Sequence, residues 1–188
     1  MFQVAGEGLT DAEVNELKKV CAKVCGRAHA AATTSAGDKR KWFGSKANSP
    51  EVTEGLKTMD KYLNVQCTRI TFARKNTGQI VDQVAANASD YGQVLPNVMQ
   101  TVANFRKSAK HTSSGLRIFA MNEIIEAIKN NDELEKVNYV YHEVSHKVLD
   151  TVDFKYGEDD CKRLANRHPA LAVRNADNWG YYIGEMRP

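Results

Sequence analysis

Four apolar residues late in the chain, Val137, Tyr141, Val144 and Val148, follow one another at spacings of four, three and four. That is the pattern of one face of an α-helix turned to a core. A helix buried along such a stripe carries its remaining side chains in fixed directions. Interleaved with the stripe is His142-Glu143-Val144-Ser145-His146, an HExxH pattern. Residues four apart share a helix face, so both imidazoles can reach one ion through their nitrogens. Glu143 is adjacent to the first histidine and cannot reach the same position; it is placed to take a proton from water in the remaining open corner. A site with an open corner is the arrangement of a catalytic zinc rather than a structural one. A third ligand is available in Asp153, seven residues past His146, once a turn follows the expected helix end near Leu149 or Asp150.

The segment Asp150-Thr151-Val152-Asp153-Phe154-Lys155-Tyr156-Gly157 resembles the Gly-Thr-x-Asp-x-x-Tyr-Gly signature of the aspzincins, the deuterolysin and peptidyl-lysine metalloendopeptidase family. Asp150 stands where the family usually has glycine. Asn175-Ala176-Asp177-Asn178-Trp179-Gly180-Tyr181-Tyr182 is similar to the family's Asn-Ala-Asp-Asn block, and Trp42-Phe43-Gly44 resembles its early Trp-Phe-Gly stretch. Residues 139–182 carry the specific motifs. The resemblance implies a zincin-like metalloprotease holding one Zn2+ through His142, His146 and Asp153. It gives Glu143 the role of general base and Tyr156 that of hydrogen-bond donor to the oxyanion. In lysine-specific members an acidic pair receives the side chain after the cut. Asp177 matches the first acid and is the expected substrate-binding residue, while Gly180 occupies the place of the second. A single carboxylate discriminates modestly, so the expectation is a preference for a basic residue after the cut rather than strict lysine specificity. Asn175 and Asn178 are expected to position the helix or the ligands. Two rivals share the metal: a zinc amidase acting on cell-wall peptide, and a metal-stabilised binding module without turnover. His29, His111 and His168 have no ligand-spaced neighbours and are assigned no role.

A chain of 188 residues is long enough for one core without staples, and a single catalytic domain over residues 1–188 is expected. Its 26 basic and 23 acidic residues are spread along the whole length. The basic runs Lys39-Arg40-Lys41 and Arg106-Lys107 with Lys110 lack the aromatic interleaving of a nucleic-acid platform, so no nucleic acid is expected. Polypeptide is the expected substrate, and a monomer the expected state. No window is apolar enough to span a membrane, and the first nine residues show no export signal. Family resemblance nonetheless suggests an exported protease, hence a toxin or effector domain moved by a secretion system, with an inhibitor or immunity protein as counterpart. The four cysteines, Cys21, Cys25, Cys67 and Cys161, permit two disulfides without requiring them. Cys21 and Cys25 fall on an apolar helical stripe with Leu17, Val24 and Ala28, where free cysteine packs as a small hydrophobe.

The coarse organisation is α+β and mostly helical, with a small sheet beside the HExxH helix: a helical part over residues 1–66, a sheet region over 67–121 and metal-site helices over 122–188. Thr10 and Glu13 form a capping box before the first helix, and Ser49 with Pro50 opens a second. Residues 35–48 read as a loop anchored by Trp42 and Phe43. Strands are expected over 67–73 and around Leu116, Ile118 and Phe119, with turn chemistry at Asn76-Thr77-Gly78 and short connections within 80–106. Helices are expected over 122–129, from Asp132 onward, over 158–167 and over 170–183, with His168-Pro169 as a break.

Overall fold

In a computed structural model, residues 2–34, 37–74, 115–120 and 122–186 are described. The expected turn at Asn76-Thr77-Gly78, the connections within 80–106, His111 and the basic residues Arg106, Lys107 and Lys110 lie outside them. The chain opens with a strand, β1 (Gln3–Glu7), ahead of the helices of the part expected to be helical over 1–66. Its sequence Gln-Val-Ala-Gly-Glu is poor in strand-forming residues, so only its partner fixes it. That partner is β2 (Arg69–Arg74), parallel to β1 with Gln3 opposite Arg69, and β3 (Gly115–Ala120) lies parallel on the other side of β2. Strand order is β1-β2-β3. A parallel pair needs a crossover rather than a hairpin, and helices provide the one from β1 to β2.

The first crossover helix, α1 (Asp11–Thr34), starts as its capping box requires: Glu13 N–H donates to Thr10 Oγ1 at 3.3 Å and Thr10 N–H to Glu13 Oε2 at 2.8 Å. Its stripe of Leu17, Cys21, Val24 and Ala28 is buried. Next, α2 (Lys39–Phe43) and a 3-10 turn (Gly44–Lys46) replace the loop expected over 35–48. Asp38 caps α2 by accepting from Lys41 N–H at 3.1 Å, and Trp42 and Phe43, both fully buried, supply enough apolar area to hold so short a helix. Gly44 (φ 54) follows because any Cβ there would overlap the carbonyl oxygen of Ala165. Helix α3 (Pro50–Lys61), capped by Ser49, passes through a π-helical turn (Tyr62–Gln66) into β2.

After β3 come α4 (Asn122–Lys129) and α5 (Glu133–Leu149), the latter capped by Asp132, whose Oδ1 accepts from Glu135 N–H. Helix α6 (Glu158–Arg167) and the short α7 (Pro169–Ala172) lead to α8 (Ala176–Glu185). The single helix expected over 170–183 is therefore broken, because Asn175 is extended (φ −92, ψ 122) and bridges Val152. The fold is α+β, mostly helical with a small sheet. Helix α5 packs against α8, α1, α3 and α4 and meets β3 at its edge. Val137, Val140, Tyr141 and Val144 are fully buried along it. All four cysteines are free thiols. Among the described residues no helix is long and apolar enough to cross a membrane.

Candidate metal centre

The last two turns of α5 and the loop after them bring three ligand atoms together. His142 Nε2 and His146 Nε2 are 3.0 Å apart, and Asp153 Oδ1 lies 3.3 Å from the first and 3.2 Å from the second. Three donors at about 2.0 to 2.1 Å from a tetrahedral zinc are separated from each other by about 3.3 Å, so the triangle has the size such an ion demands. The donors also face one another, which is unfavourable unless a cation lies among them. Among the described residues, only these three His, Cys, Asp or Glu side chains are grouped closely enough to hold a metal ion.

The chain turns toward the ligands at Asp150, which adopts the left-handed conformation (φ 55, ψ 34) and ends α5. Glycine adopts that conformation without strain, and aspartate tolerates it better than most residues. The substitution noted in the sequence is thus accommodated where the helix stops. One residue on, the Thr151 carbonyl accepts a hydrogen bond from His146 Nδ1 at 2.9 Å, and its hydroxyl pairs with Ser145 Oγ at 2.7 Å. A carbonyl can only accept, so the proton sits on Nδ1 and Nε2 keeps its lone pair for a metal.

His142 is held in the same sense by another partner. Its Nδ1 lies 2.6 Å from Asp177 Oδ1, and both side chains are about one-tenth exposed. Asp177 Oδ2 accepts from Gly157 N–H at 2.9 Å. Asp177, expected to receive a substrate side chain, is 7% exposed and both of its oxygens are engaged inside the protein. Helix α8 is buried on all sides from Ala176 to Gly184. Gly180, at the place of the second acid, has no room for a side chain; a Cβ there would overlap the Asn138 side chain and lie 2.8 Å from the Asn138 carbonyl oxygen.

The asparagines flanking Asp177 frame the loop. Asn175 Oδ1 accepts from Phe154 N–H (2.7 Å) and Lys155 N–H (3.0 Å), while its amide donates to Lys155 O and to Asn178 Oδ1. Asn178 donates to Trp42 O and Cys161 O, joining α2 and α6 to the same frame. Sequence reasoning did not find the contacts of Thr151 with His146 or of Asp177 with His142; for the latter the available signal was a carboxylate in a helix of mostly apolar residues.

Electrostatics follows the geometry. Burial pushes the Asp153 carboxyl up, but the hydrogen bond and charge of His146 and the charge of His142 hold it down at about 2. For His142, burial works against the charged ring, yet Asp177, Asp153 and Glu143 outweigh it and its pKa is raised. Glu143 Oε1 is 3.9 Å from His142 Nε2 and its side chain is about one-third exposed. Tyr156 lies with its ring near parallel to that of His142 (centroids 6.4 Å, 19°) and is 60% exposed. Loss of water around its hydroxyl and the negative charge of Asp153 raise its pKa, so the phenol stays protonated.

A His-His-Asp group able to hold a metal ion fits the class that the family match gives, a zinc metallopeptidase. The chain belongs to the aspzincin family, described as lysine-specific metallo-endopeptidase, whose family model matches residues 28–184. No curated protein sequence matches it closely enough to count as a relative.

Proposed function

We propose that the chain hydrolyses internal peptide bonds of polypeptides at the His142–His146–Asp153 centre, with Glu143 as general base and Tyr156 as oxyanion donor. The triangle of ligand atoms 3.0 to 3.3 Å apart carries this reading. A zinc ion held there supplies a Lewis acid and a water acidic enough to ionise near neutral pH. Glu143, close to the centre and partly exposed, takes the proton of the attacking water and delivers it to the leaving amine. Tyr156 donates its phenolic hydrogen to the oxygen of the scissile carbonyl as negative charge develops there. Asp153 stays ionised, and Thr151 and Asp177 keep both imidazoles turned toward the centre.

Glu143→Gln preserves shape and removes the base. Zinc content and melting temperature should match the parent while casein cleavage falls by about 10²- to 10⁴-fold. Purified peptidoglycan run in parallel separates an amidase, which would cleave it and spare casein. Zinc binding without turnover on either substrate, or on a broad peptide library, would leave a metal-stabilised binding module. Because the one acid expected to select a basic residue is buried, the cleavage-site map on a denatured protein mixture should not be dominated by lysine after the cut. A lysine-dominated map would show that selection is made elsewhere in the chain.

A further inference from the structure

We infer that the concavity between β1, α1 and the π-helical turn binds an alkyl carboxylate of the fatty-acid class, its tail inside and its head group on Lys18. No residue of the metal centre lines it. Its volume is about 660 Å3, within the range of about 300 to 1,000 Å3 of small-molecule sites. The walls are mostly apolar: Phe2, Val4 and Ala5 from β1, Cys21 and Cys25 from α1, and Leu63 from the turn. Burial pushes both thiols up, Cys25 to about 11. At neutral pH they are therefore protonated, and such thiols line a pocket as small hydrophobes that do not repel an anion. Gln3 and Asn64 are polar but neutral, so Lys18 supplies the one charge of the lining. Its neighbours along the helix face are Val14, Asn15, Cys21 and Ala22. Among the described residues its ammonium donates to the neutral Asn15 Oδ1 alone, at 3.3 Å, which leaves its charge uncompensated. Next in the chain to Asn64 stands Val65, 75% exposed and, with Tyr156 of the metal centre, one of two large apolar side chains left in water among the described residues. A hydrocarbon chain leaving the concavity gains by covering it. One cation against an otherwise apolar wall is matched by a molecule with one anion and one hydrocarbon tail.

Cys25 reports occupancy, because it alone of the four cysteines is not buried. Its alkylation by N-ethylmaleimide, located by peptide mass spectrometry on the full chain, should slow by about tenfold or more in saturating decanoate, since such sites enclose most of their ligand. From octanoate through decanoate to dodecanoate, all below their micellar concentrations, each added methylene should lower the half-protecting concentration by about four-fold. With the same tail, 1-decanol should protect less well than decanoate, and decyltrimethylammonium least. Lys18→Gln should weaken decanoate by about two- to five-fold and leave 1-decanol unchanged. Ala22→Trp, at an exposed position of the lining, should abolish decanoate binding in a calorimetric titration while the melting temperature stays that of the parent. Should that variant fail to fold, the chain-length series and Lys18→Gln decide. Alkylation of Cys25 unaltered by all three carboxylates overturns the inference. So does protection by 1-decanol and decyltrimethylammonium equal to that by decanoate, which would be unspecific apolar adsorption. Protection that grows with protein concentration alone, together with a dimeric mass, assigns the concavity to a second copy of the chain and overturns it as well. None of these readouts involves zinc, so a chain that takes up no metal would leave this site standing.

Discussion

His142 is buried among three carboxylates, Asp177, Asp153 and Glu143, with His146 beside it. Its raised pKa means that in the metal-free protein a proton competes with zinc for Nε2 more strongly than at an ordinary histidine. Ligand histidines must be neutral, so zinc affinity falls as pH is lowered. The fall should begin above the ordinary histidine value of about 6.5 and steepen toward about tenfold per pH unit for each proton displaced. Asp153, held at about 2, adds no further loss over that range. Chelator competition at a series of pH values checks this, and an affinity that stays flat until well below pH 6 would contradict it. At this scale the two histidines, Glu143 and Asp153 were legible because a helix period and a short turn place them. The contact of Asp177 with His142 was not legible, since the two are 35 positions apart and no local spacing announces it.

Helices α5 and α8 approach closely because Gly180 lies directly on Asn138. Gly180→Ala should force the two helices apart, since the Asn138 carbonyl, unlike a side chain, cannot rotate away. A loss of about 1 to 3 kcal/mol is expected for such overpacking, read as a lower urea midpoint. An unchanged midpoint would mean that the helix pair has slack. Elements with their own start signals, α1 at Thr10, α3 at Ser49 and α5 at Asp132, could be read from sequence to within a few residues. Those owed to tertiary partners could not. Strand β1 forms only because β2 offers a parallel edge, α2 only because Trp42 and Phe43 find the aromatic rings of α8. The helix break before α8 exists to let Asn175 extend and hold Phe154 and Lys155.

At the scale of the folded unit formed by residues 1–74 and 114–188, a bound ion would join α5 to the loop ahead of α6. Ligand binding to the native state alone stabilises it by mass action. With free zinc at 100 times its dissociation constant the gain is about 2.7 kcal/mol, or a rise of about 5 to 10 °C in melting temperature for a chain of this size. Thermal melts in excess chelator and after zinc is returned should differ by that amount and reversibly. Equal melting temperatures would argue that the centre binds zinc too weakly to matter.

The groups that hold the ligand loop and His142 come from residues 174–178, whereas His142 itself comes from α5, some thirty positions earlier. During synthesis His142 therefore leaves the ribosome well before the carboxylate that accepts from it. A nascent or truncated chain ending ahead of Asn175 would hold His142 and the ligand loop without the hydrogen bonds that fix them.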